Sequence, residues 1–551
     1  MPNPTRRKFI KQSSSLALMP YLWNYQEKPD LILHNGNFIT VDPNQPRAEA
    51  VAIIRDRLFA VGSNRDVLAL ANGNTKKIDL EGSTVLPGFI DAHSHPASSG
   101  RYHLFSLDCD LRSIEEIKAL VSEKAKTTPK GRWIYGFKYD DTKTKEGRFI
   151  NVKDLDEAAP DHPVAIRHRG GHTAYVNSMA FLRTSINTET PNPPGGKFVQ
   201  KDGKLTGRIL ENAMYPFYKD FPKFSDEDYV KGVDLISRML TETGITSVQD
   251  AGSSPEDLNA FQIAYQRGLL KTRVYNSIRH WNLDRMIEAG IRTGLGDEWV
   301  RVGYMKTAID GSISERTARL SQPYVGRPDD FGILTTTREE LYERCKKAYL
   351  AGWQVGVHAN GDVGIDITLG VYEQLIKETP KKDPRFRLEH CTVVNADLIK
   401  RIKALNAIPN PFSTYVYFHG EKMKEYGADR LENMFAVKSF LDAGIKVTQT
   451  SDYPPGPFEP MMALQSSVTR TDYNGTTWGP SQKVTVEEAI KVGTLHGAYA
   501  SYEEDIKGSV TQGKLADLVV LEKDPTAVDP STLIDIKVER TMTGGKWVYE
   551  S

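Results

Sequence analysis

The chain alternates short apolar runs with amphipathic stretches through its middle, and this pattern predicts a mixed α/β protein. Several apolar runs have the length of a strand and end in a polar side chain, and helical patterns separate or follow them. The predicted strands of this kind span residues 247–252, 301–311, 354–362, 386–391, 406–411 and 445–452, and the clearest predicted helices span 337–350, 364–378 and 485–492. This alternation is typical of a parallel α/β barrel.

The two ends of the chain follow a different pattern, in which short β-strands are separated by Asn-Gly and Pro turns. Runs such as LILHNGNFITV and AVAIIRDRLFAVG precede the barrel, and LADLVVLE and KWVY follow it. We therefore expect residues 29–86 and 501–551 to pair into one small β-sandwich, with the barrel at 87–500 between its two parts.

The barrel pattern is interrupted between about residues 100 and 225, where the segment 191–196 reads PNPPGG inside a polar stretch. We expect an insertion that lies over the barrel mouth, because loops at that face usually shape the substrate pocket. Its aromatic residues fit an apolar or aryl-containing substrate and, more simply, the insertion's own core. They include Tyr102, Phe105, Trp133, Tyr135, Phe137 and Tyr139.

The most informative motif is VLPGFIDAHSHP at residues 85–96, an apolar strand that ends with His93 and His95. Side chains at i and i+2 of a strand point to the same face, so both imidazoles can reach one divalent ion. At the carboxyl end of a barrel strand such ligands lie at the barrel mouth, where these folds place their chemistry. Taken alone, the pair is equally compatible with exposed or core-packed histidines.

Three later strand ends add further candidate ligands. His358 ends the run QVGVH, His390 ends RFRLEH, and Asp452 ends IKVTQTSD. Together the strand ends supply four imidazoles and one carboxylate, a nitrogen and oxygen ligand set that suits zinc or another borderline divalent metal. Six other histidines lack such support and are expected to have surface or structural roles: His103, His162, His168, His280, His419 and His496.

Composition excludes several classes of function. Lys and Arg together number 71, as do Asp and Glu, so the formal charge is zero and no basic excess indicates nucleic acid or an anionic membrane as a partner. The three cysteines, Cys109, Cys345 and Cys391, are scattered, so neither a disulfide framework nor a thiolate zinc site is indicated. Each is expected to be a buried small hydrophobe.

The N-terminal segment carries a separate signal. Residues 5–11 read TRRKFIK and are followed by SSSLALMPYLW, a sequence that resembles a twin-arginine export signal. We predict an export segment at residues 1–28 and a periplasmic location. The alternative is a plain basic tail on a cytoplasmic protein, because no small-x-small cleavage site is evident. The apolar stretch is far below the ~20 residues that cross a bilayer, so no stable membrane anchor is expected.

Many motifs along the chain resemble those of the metal-dependent amidohydrolase superfamily and, within it, of the YtcJ-like group, also called the amidohydrolase 3 group. The resemblance extends roughly from Asp30 to Tyr549. It is carried by ILHNGNFITV, PGFIDAHSHP, GHTAYVNS, GRILE, GITSVQD, MKTAIDGS, VHANGD, RLEHC, TSDYP and GSVTQGKLADLVVLEKDP, in that order. The resemblance implies an α/β fold: a distorted (β/α)8 TIM barrel with a β-sandwich built from both chain ends.

The resemblance also implies a centre of two divalent ions, zinc by default and iron or manganese as alternatives. His93 and His95 look like ligands of the more buried ion, and His358 and His390 like ligands of the second. Asp452 looks like a ligand that also accepts a proton.

A carboxylated lysine often bridges the two ions in such enzymes, and Lys306 in GYMKTAIDGS matches that position. A lysine that faces two dications must lose its charge, and carbamate formation turns it into an anionic oxygen ligand. The alternatives are a lysine paired with Asp310 or at the surface, with Asp310 as the replacement ligand.

By the same resemblance the protein is expected to hydrolyse a C–N bond, other than a peptide bond, in a small amide-like substrate by means of a metal-activated hydroxide. His172 matches a family position near the substrate, and Arg316 and Tyr175 are further candidates for substrate contact without motif support. The sequence leaves open the substrate's identity and the oligomeric state, and it is compatible with a homo-oligomer.

Two other functions stay open at this point. Mononuclear deaminases of the superfamily typically carry a glutamate three residues after the histidine of the fifth strand, and that position is Gly361 here. Asp362 could replace the glutamate only if the loop turned differently. A non-catalytic metal-binding protein would be indicated by a degenerate HxH or a missing Asp452, and neither is seen.

Overall fold

Seven parallel strands in chain order form the centre of the protein. We describe a computed structural model, which covers residues 28–221 and 223–551; the predicted export segment therefore lies, except for Lys28, outside the described residues. The barrel strands are Phe89–Ser94, Ile245–Ser253, Arg273–Arg279, Val300–Ala308, Val355–Ala359, Arg387–His390 and Ile408–Asn410. Their residues are almost entirely buried, as expected for parallel strands covered on both faces.

The predicted strand at 445–452 is wrong as a regular strand. This segment makes only an isolated parallel bridge, between Thr450 and Phe412. The reason lies in the neighbouring chain, because Pro409 and Pro411 have no backbone N–H to donate to a ladder. The apolar and polar pattern of the segment is that of a strand, but its partner cannot complete the pairing.

Single hydrogen bonds nevertheless close the barrel between its first strand and this eighth segment. Ala92 donates its backbone N–H to the Gln449 carbonyl at 3.0 Å, and Asp452 donates its backbone N–H to the His93 carbonyl at 2.7 Å. The second bond places Asp452 directly beside the histidine pair of the first strand.

Helices cover the outside of the barrel and begin at well-formed caps. Thr337 and Glu340 form a capping box at the start of Arg338–Leu350, and Thr485 and Glu488 form one at Val486–Val492. The three predicted helices are confirmed. The α-helices are Asn64–Leu68, Pro96–Phe105, Ile114–Thr127, Val152–Ala158, Ser178–Thr184, Tyr215–Tyr218, Asp226–Glu242, Pro255–Gln266, Leu283–Glu288, Arg338–Leu350, Asp362–Glu378, Ala396–Ala404, Tyr415–Phe418, Ala428–Leu431, Val437–Asp442, Pro460–Thr469, Val486–Val492 and Leu495–Ala500. Within the described ranges, none combines the length and the apolar character that crossing a bilayer requires.

The two chain ends supply two further sheets. One has four strands in the order Arg57–Gly62, Ala50–Ile54, Leu31–His34 and Lys76–Asp79. The other has six strands and joins both ends of the chain, in the order Lys546–Glu550, Val538–Thr543, Leu518–Leu521, Thr84–Pro87, Asn37–Ile39 and Arg47–Ala48. Leu518–Leu521 pairs antiparallel with Thr84–Pro87, so the C-terminal part completes a sheet that the N-terminal part begins.

Gly88 is the junction between this sheet and the barrel. Its backbone N–H donates to the Asp517 carbonyl at 2.9 Å, and a Cβ at this position would lie 2.2 Å from Thr246 Oγ1 of the second barrel strand. Only glycine fits such a close approach, which explains the Pro-Gly before the histidine motif.

The insertion forms a sheet of its own over the barrel mouth. Its six strands lie in the order Gly196–Lys201, Lys204–Glu211, Thr173–Val176, Val164–His168, Ile134–Tyr139 and Leu107–Asp108. With the barrel and the terminal sheets, this confirms the predicted fold class. The three cysteines are buried and free, as expected.

Candidate metal centre and substrate cavity

The first barrel strand brings His93 and His95 to one point. His93 is fully buried at the end of the strand, and His95 precedes the helix Pro96–Phe105. The Nε2 atoms of both rings approach the same oxygen, Asp452 Oδ1, at 3.2 Å from His93 and 3.1 Å from His95. Burial lowers the pKa of His95 to about 4, so its imidazole is neutral and keeps a lone pair for a ligand.

Glu389 fixes the orientation of His93 from behind. Its carboxylate accepts a hydrogen bond from His93 Nδ1 and forms an ion pair with Arg387, whose Nε lies 2.6 Å away. All three side chains are fully buried. Burial would raise the pKa of Glu389, but the charge of Arg387 and the hydrogen bond from His93 lower it below its usual value. With Nδ1 protonated, His93 directs the Nε2 lone pair into the site.

His358 and His390 come from the fifth and sixth barrel strands, with ring centroids 4.4 Å apart. His358 Nε2 donates to the Gly311 carbonyl at 3.0 Å, while His390 Nδ1 is buried with no hydrogen-bond partner among the described residues. Burial lowers the pKa of both rings well below the usual value. Both imidazoles are therefore neutral, and each keeps a nitrogen lone pair that can bind a metal. The His390 ring also stacks on Phe412 at 4.5 Å.

Asp452 is ionised in this setting. Burial would raise its pKa, but the nearby His390 ring and the hydrogen bonds with His93 and His95 lower it well below the usual value. Its backbone lies in the left-handed region, with φ of 53°, a conformation that turns the chain sharply at the end of the eighth segment. Such strained residues are typical of functional sites.

Lys306 lies in the same cluster at the end of the fourth barrel strand. It is 2 % exposed, and its Nζ lies 3.2 Å from His93 Nε2. Burial lowers the pKa of Lys306 to about 7, since the interior disfavours an ammonium ion. A large share of the amine is therefore neutral near neutral pH.

These residues fit a divalent metal ion. Ligand atoms of His93, His390 and Asp452 all lie within 4.8 Å of one another. Neutral imidazoles and an ionised carboxylate are the donors that zinc and similar ions take, and the unpartnered Nδ1 of His390 is a buried polar atom that calls for a partner.

A cavity of about 460 Å³ opens above this cluster, within the usual size range for a small-molecule site. The strand ends form its floor and the insertion forms much of its wall. Its floor includes His95, Lys306, His358, His390 and Asp452, and its wall includes Tyr102, Phe137, Arg167, His172, Glu211, Met214, Arg279, Trp281 and Pro454.

Most of the sequence is similar to that of known proteins. The sequence profile described as the amidohydrolase family matches residues 76–549. The chain belongs to the amidohydrolase family. YtcJ of Bacillus subtilis (strain 168) is 30% identical over 534 residues, which cover 94% of this chain and 99% of that protein. An N-substituted formamide deformylase of Arthrobacter pascens is 28% identical over 541 residues, which cover 95% and 98% of the two chains.

Solved structures agree with this membership. An uncharacterized metal-dependent hydrolase from Pyrococcus horikoshii superimposes with a TM-score of 0.74 at 25% identity, covering 91% of this amidohydrolase and 99% of the other chain. A second such hydrolase, from Pyrococcus furiosus, gives a TM-score of 0.71 at 26% identity, with 90% and 99% covered.

His172 of the amidohydrolase lies in the cavity wall. Its Nδ1 lies 2.7 Å from Glu211 Oε2, and its backbone N–H donates to Glu315 at 3.0 Å. Burial would lower the pKa of His172, but the Glu211 carboxylate raises it to about 9. The ring is therefore an imidazolium at neutral pH, and its free Nε2–H is available to a substrate oxygen.

The other two substrate candidates lie away from the cavity lining. Tyr175 is 1 % exposed and packs edge-on against Tyr139 in the core of the insertion, with ring centroids 4.9 Å apart. Arg316 pairs with Glu425 at 3.4 Å. The structure does not bring either side chain to the cluster of predicted ligands.

Asp310, the alternative to Lys306, is committed to the backbone. It accepts hydrogen bonds from the N–H groups of Asn360 at 2.9 Å, Gly361 at 2.8 Å and Arg319 at 3.0 Å. These bonds use both carboxylate oxygens to order the loop that follows His358.

Sequence reasoning missed Glu389 and Arg387, which orient His93. One signal was available: in FRLEHC, the charged residues Arg387 and Glu389 stand at i and i+2 of an otherwise apolar strand, and charges on a buried strand need a partner. Nothing in the sequence indicated that the partner would be His93, almost 300 residues away.

Proposed function

We propose that this amidohydrolase hydrolyses an amide-type C–N bond, other than a peptide bond, in a small molecule. The observation that carries the proposal is the convergence of His93, His390 and Asp452, with Lys306 at hydrogen-bond distance from His93. Lys306, His390 and Asp452 also line the floor of the cavity. The similarity to a formamide deformylase supports a C–N bond as the target.

Two divalent ions, zinc by default, are the cofactor that we assign to this donor set. We assign His93 and His95 to one ion, His358 and His390 to the other, and Asp452 to the side of His93 and His95. When bound, such ions lower the pKa of water and polarise a carbonyl oxygen.

We assign to Lys306 the role of bridging ligand after reaction with CO2. The neutral amine forms a C–N bond to the carbon of CO2 and releases one proton, which leaves an anionic carbamate. Burial favours the neutral amine that this reaction requires. The reaction turns a buried neutral amine into a buried anion, and the anion matches a dication.

Asp452 carries the proton through the reaction. Its ionised carboxylate accepts a proton from the attacking water as the new C–O bond forms, and it delivers that proton to the nitrogen as the C–N bond breaks. Its closeness to both His93 and His95 keeps it at the reacting centre.

His172 contacts the substrate in this account. Its Nε2–H donates a hydrogen bond to the acyl oxygen, and Glu211 holds the ring as an imidazolium through Nδ1. A charge-assisted donor of this kind stabilises the negative charge that develops on that oxygen.

Deamination receives less support from the same site. A Cβ at Gly361 would lie 1.9 Å from the Arg319 carbonyl oxygen, so no glutamate fits at the position where deaminases carry one. Asp362, the residue that directly follows Gly361, accepts a hydrogen bond from the backbone N–H of Ser321 at 2.9 Å.

Release of amine from a pool of N-formyl and N-acyl amines tests the proposal. We expect the zinc-loaded wild type to release amine and Asp452→Asn to lose at least about 100-fold of the rate, since general acid–base catalysis contributes ~10²–10⁴-fold. Asp161→Asn, at an exposed surface pair with Lys130, is the matched control and should retain the full rate. Absence of turnover by the metal-loaded wild type, or full activity in Asp452→Asn, contradicts the proposal.

A further inference from the structure

Arg279 is a cation in the cavity wall that forms no ion pair with a carboxylate of the described residues. It ends the third barrel strand, Arg273–Arg279, and lines the cavity that contains His95 and Asp452. Among the described residues its guanidinium has no hydrogen bond and no ion pair; its contact is with Trp281, whose ring centroid lies 5.6 Å away. A half-buried guanidinium normally has a partner, because losing hydration without one is costly.

Other cationic side chains that line the same cavity form ion pairs with carboxylates of the chain. Lys138 pairs with Asp108 at 2.8 Å, and Arg169 pairs with Asp110. Arg279 faces the same space but has no carboxylate of the described residues at ion-pair distance. Asp250 and Asp452 attract it only from farther away, and Asp452 lies against His93 and His95. Its guanidinium N–H groups therefore remain available to an anion that enters the cavity.

Arg167 is a second cation toward the same space. Its Nε and Nη2 donate to the Gly171 carbonyl at 3.0 and 2.7 Å, and its Nη1 donates to the Tyr102 hydroxyl at 2.9 Å. These acceptors are neutral, and no carboxylate of the described residues pairs with it. Burial lowers the pKa of Arg279, while attraction from Tyr304, Asp250 and Asp452 opposes this effect and repulsion from Arg167 adds to it. The two arginines are therefore close enough to interact.

Gly252 keeps the space that Arg279 occupies. A Cβ at this position would lie 2.2 Å from Arg279 Nε, and the backbone has φ of 152°. The second barrel strand thus leaves out a side chain where the guanidinium of the third strand enters the cavity.

Resting on the proposed function, we propose that the substrate is an amide that bears a carboxylate near its scissile bond, of the N-acyl amino acid type, and that Arg279 binds this carboxylate with Arg167 beside it. The planar guanidinium can hold a carboxylate through two parallel hydrogen bonds. Phe137, Met214 and Trp281 line the same cavity and provide apolar surface for the body of the substrate.

The test compares two substrates that differ only in the carboxylate, N-formylphenylalanine and N-formylphenethylamine. We expect the wild type to prefer the first in kcat/KM, and Arg279→Met to lower the ratio of the two values by about 10- to 100-fold, as for loss of a hydrogen bond to a charged group. Arg279→Lys should restore part of the ratio. Arg338→Met, at an exposed arginine that donates to Gln374, is the control and should leave the ratio unchanged.

Two results overturn the inference while the proposed function stands: a wild type that prefers the neutral amide, or an unchanged ratio in Arg279→Met. A wild type that turns over neither compound contradicts the proposed function for formamides. Calorimetric titration of the zinc-loaded protein with N-formylphenylalanine then decides the inference separately. Binding at least about 10-fold weaker to Arg279→Met than to wild type supports it. Equal or absent binding overturns it, and equal binding is also what direct coordination of the carboxylate by the metal would give.

Discussion

Single residues of the ligand cluster depend on groups that never face the cavity. His93 is oriented by Glu389, and Glu389 is kept ionised by Arg387, whose guanidinium also donates to the Ala92 carbonyl at 2.6 Å. Arg387, Glu389 and His93 thus form a buried chain of contacts, which fixes the tautomer of His93, a predicted metal ligand.

Glu389→Gln should weaken metal binding by about 10- to 100-fold, because mutation of the residue that orients a ligand histidine typically lowers metal affinity by that factor. The amide keeps the shape but cannot hold His93 with a full negative charge. Competition with a zinc chelator measures the dissociation constant. Glu373→Gln, at the exposed pair with Arg401, is the control, and equal affinity in Glu389→Gln and wild type would contradict the orienting role.

The pKa of His172, raised to about 9 by Glu211, links stability to pH. Because the folded-state pKa exceeds the unfolded value of ~6.5, the stabilisation is complete below pH ~6.5 and is lost as pH rises through about 9. Urea midpoints of wild type and His172→Gln should therefore converge between pH 6.5 and 9.5. In the Glu211→Gln protein, the effect of His172→Gln on the urea midpoint should depend little on pH. If this effect is also independent of pH when Glu211 is present, the linkage is refuted.

The position of a residue in the fold could be predicted from the sequence only where the pattern of its neighbours indicated an element of secondary structure. His93, His95, His358 and His390 each follow an apolar run, which is why the sequence predicts that they meet at strand ends. Tyr175 and Arg316 had no such context, and they point to the insertion core and to Glu425 instead. Arg279 also ends a strand, but its lack of an ion-pair partner among the described residues is a property of the folded cavity and leaves no sequence pattern.

At the scale of elements, strand ends place the site and backbone contacts fix the strands. The predicted strands 247–252 and 386–391 fall within or close to Ile245–Ser253 and Arg387–His390. The segment 445–452 differs because strand formation needs a partner as well as a pattern, and the partner contains prolines. Side-chain periodicity along one segment carries no information about the N–H groups of its neighbour.

Gly88→Ala should lower the free energy of unfolding by about 1–3 kcal/mol, because the added methyl would overlap Thr246 of the second strand and force the strands apart. Thr246→Ala should recover part of this loss in a double-mutant cycle, as expected for residues in contact. Gly73→Ala, where a Cβ meets nothing within 4 Å, is the control. Chemical denaturation measures the three changes, and equal stability of the Gly88 and Gly73 variants would argue against a tight junction.

For the whole molecule, the two chain ends are fastened to the barrel as well as to each other. Arg273 of the third barrel strand pairs with Asp517 through Nε at 2.7 Å and Nη2 at 3.1 Å, and both side chains are almost fully buried. Asp517 also accepts the backbone N–H of Gly544 at 2.8 Å. The opposite chain ends were predicted to meet from their matching β patterns, whereas this ion pair required the three-dimensional arrangement.

Asp517→Asn should destabilise the protein by about 3–5 kcal/mol, the usual cost of leaving one member of a buried ion pair without its counter-charge. Asp161→Asn should cost no more than about 1 kcal/mol, since its partner Lys130 is exposed. Denaturant unfolding of the two variants gives the comparison. Similar small losses in both would mean that the buried pair does not secure the chain ends.

Metal content is the most direct test of the central claim, that side chains from separate barrel strands together bind divalent ions. Plasma mass spectrometry on zinc-equilibrated, desalted protein should find about two ions per chain in wild type and one or none in Lys306→Ala. Lys346→Ala, at a half-exposed surface pair with Glu378, should match the wild type. Equal metal content in Lys306→Ala and wild type would contradict the bridging role, and a wild type that binds no metal would contradict the account as a whole.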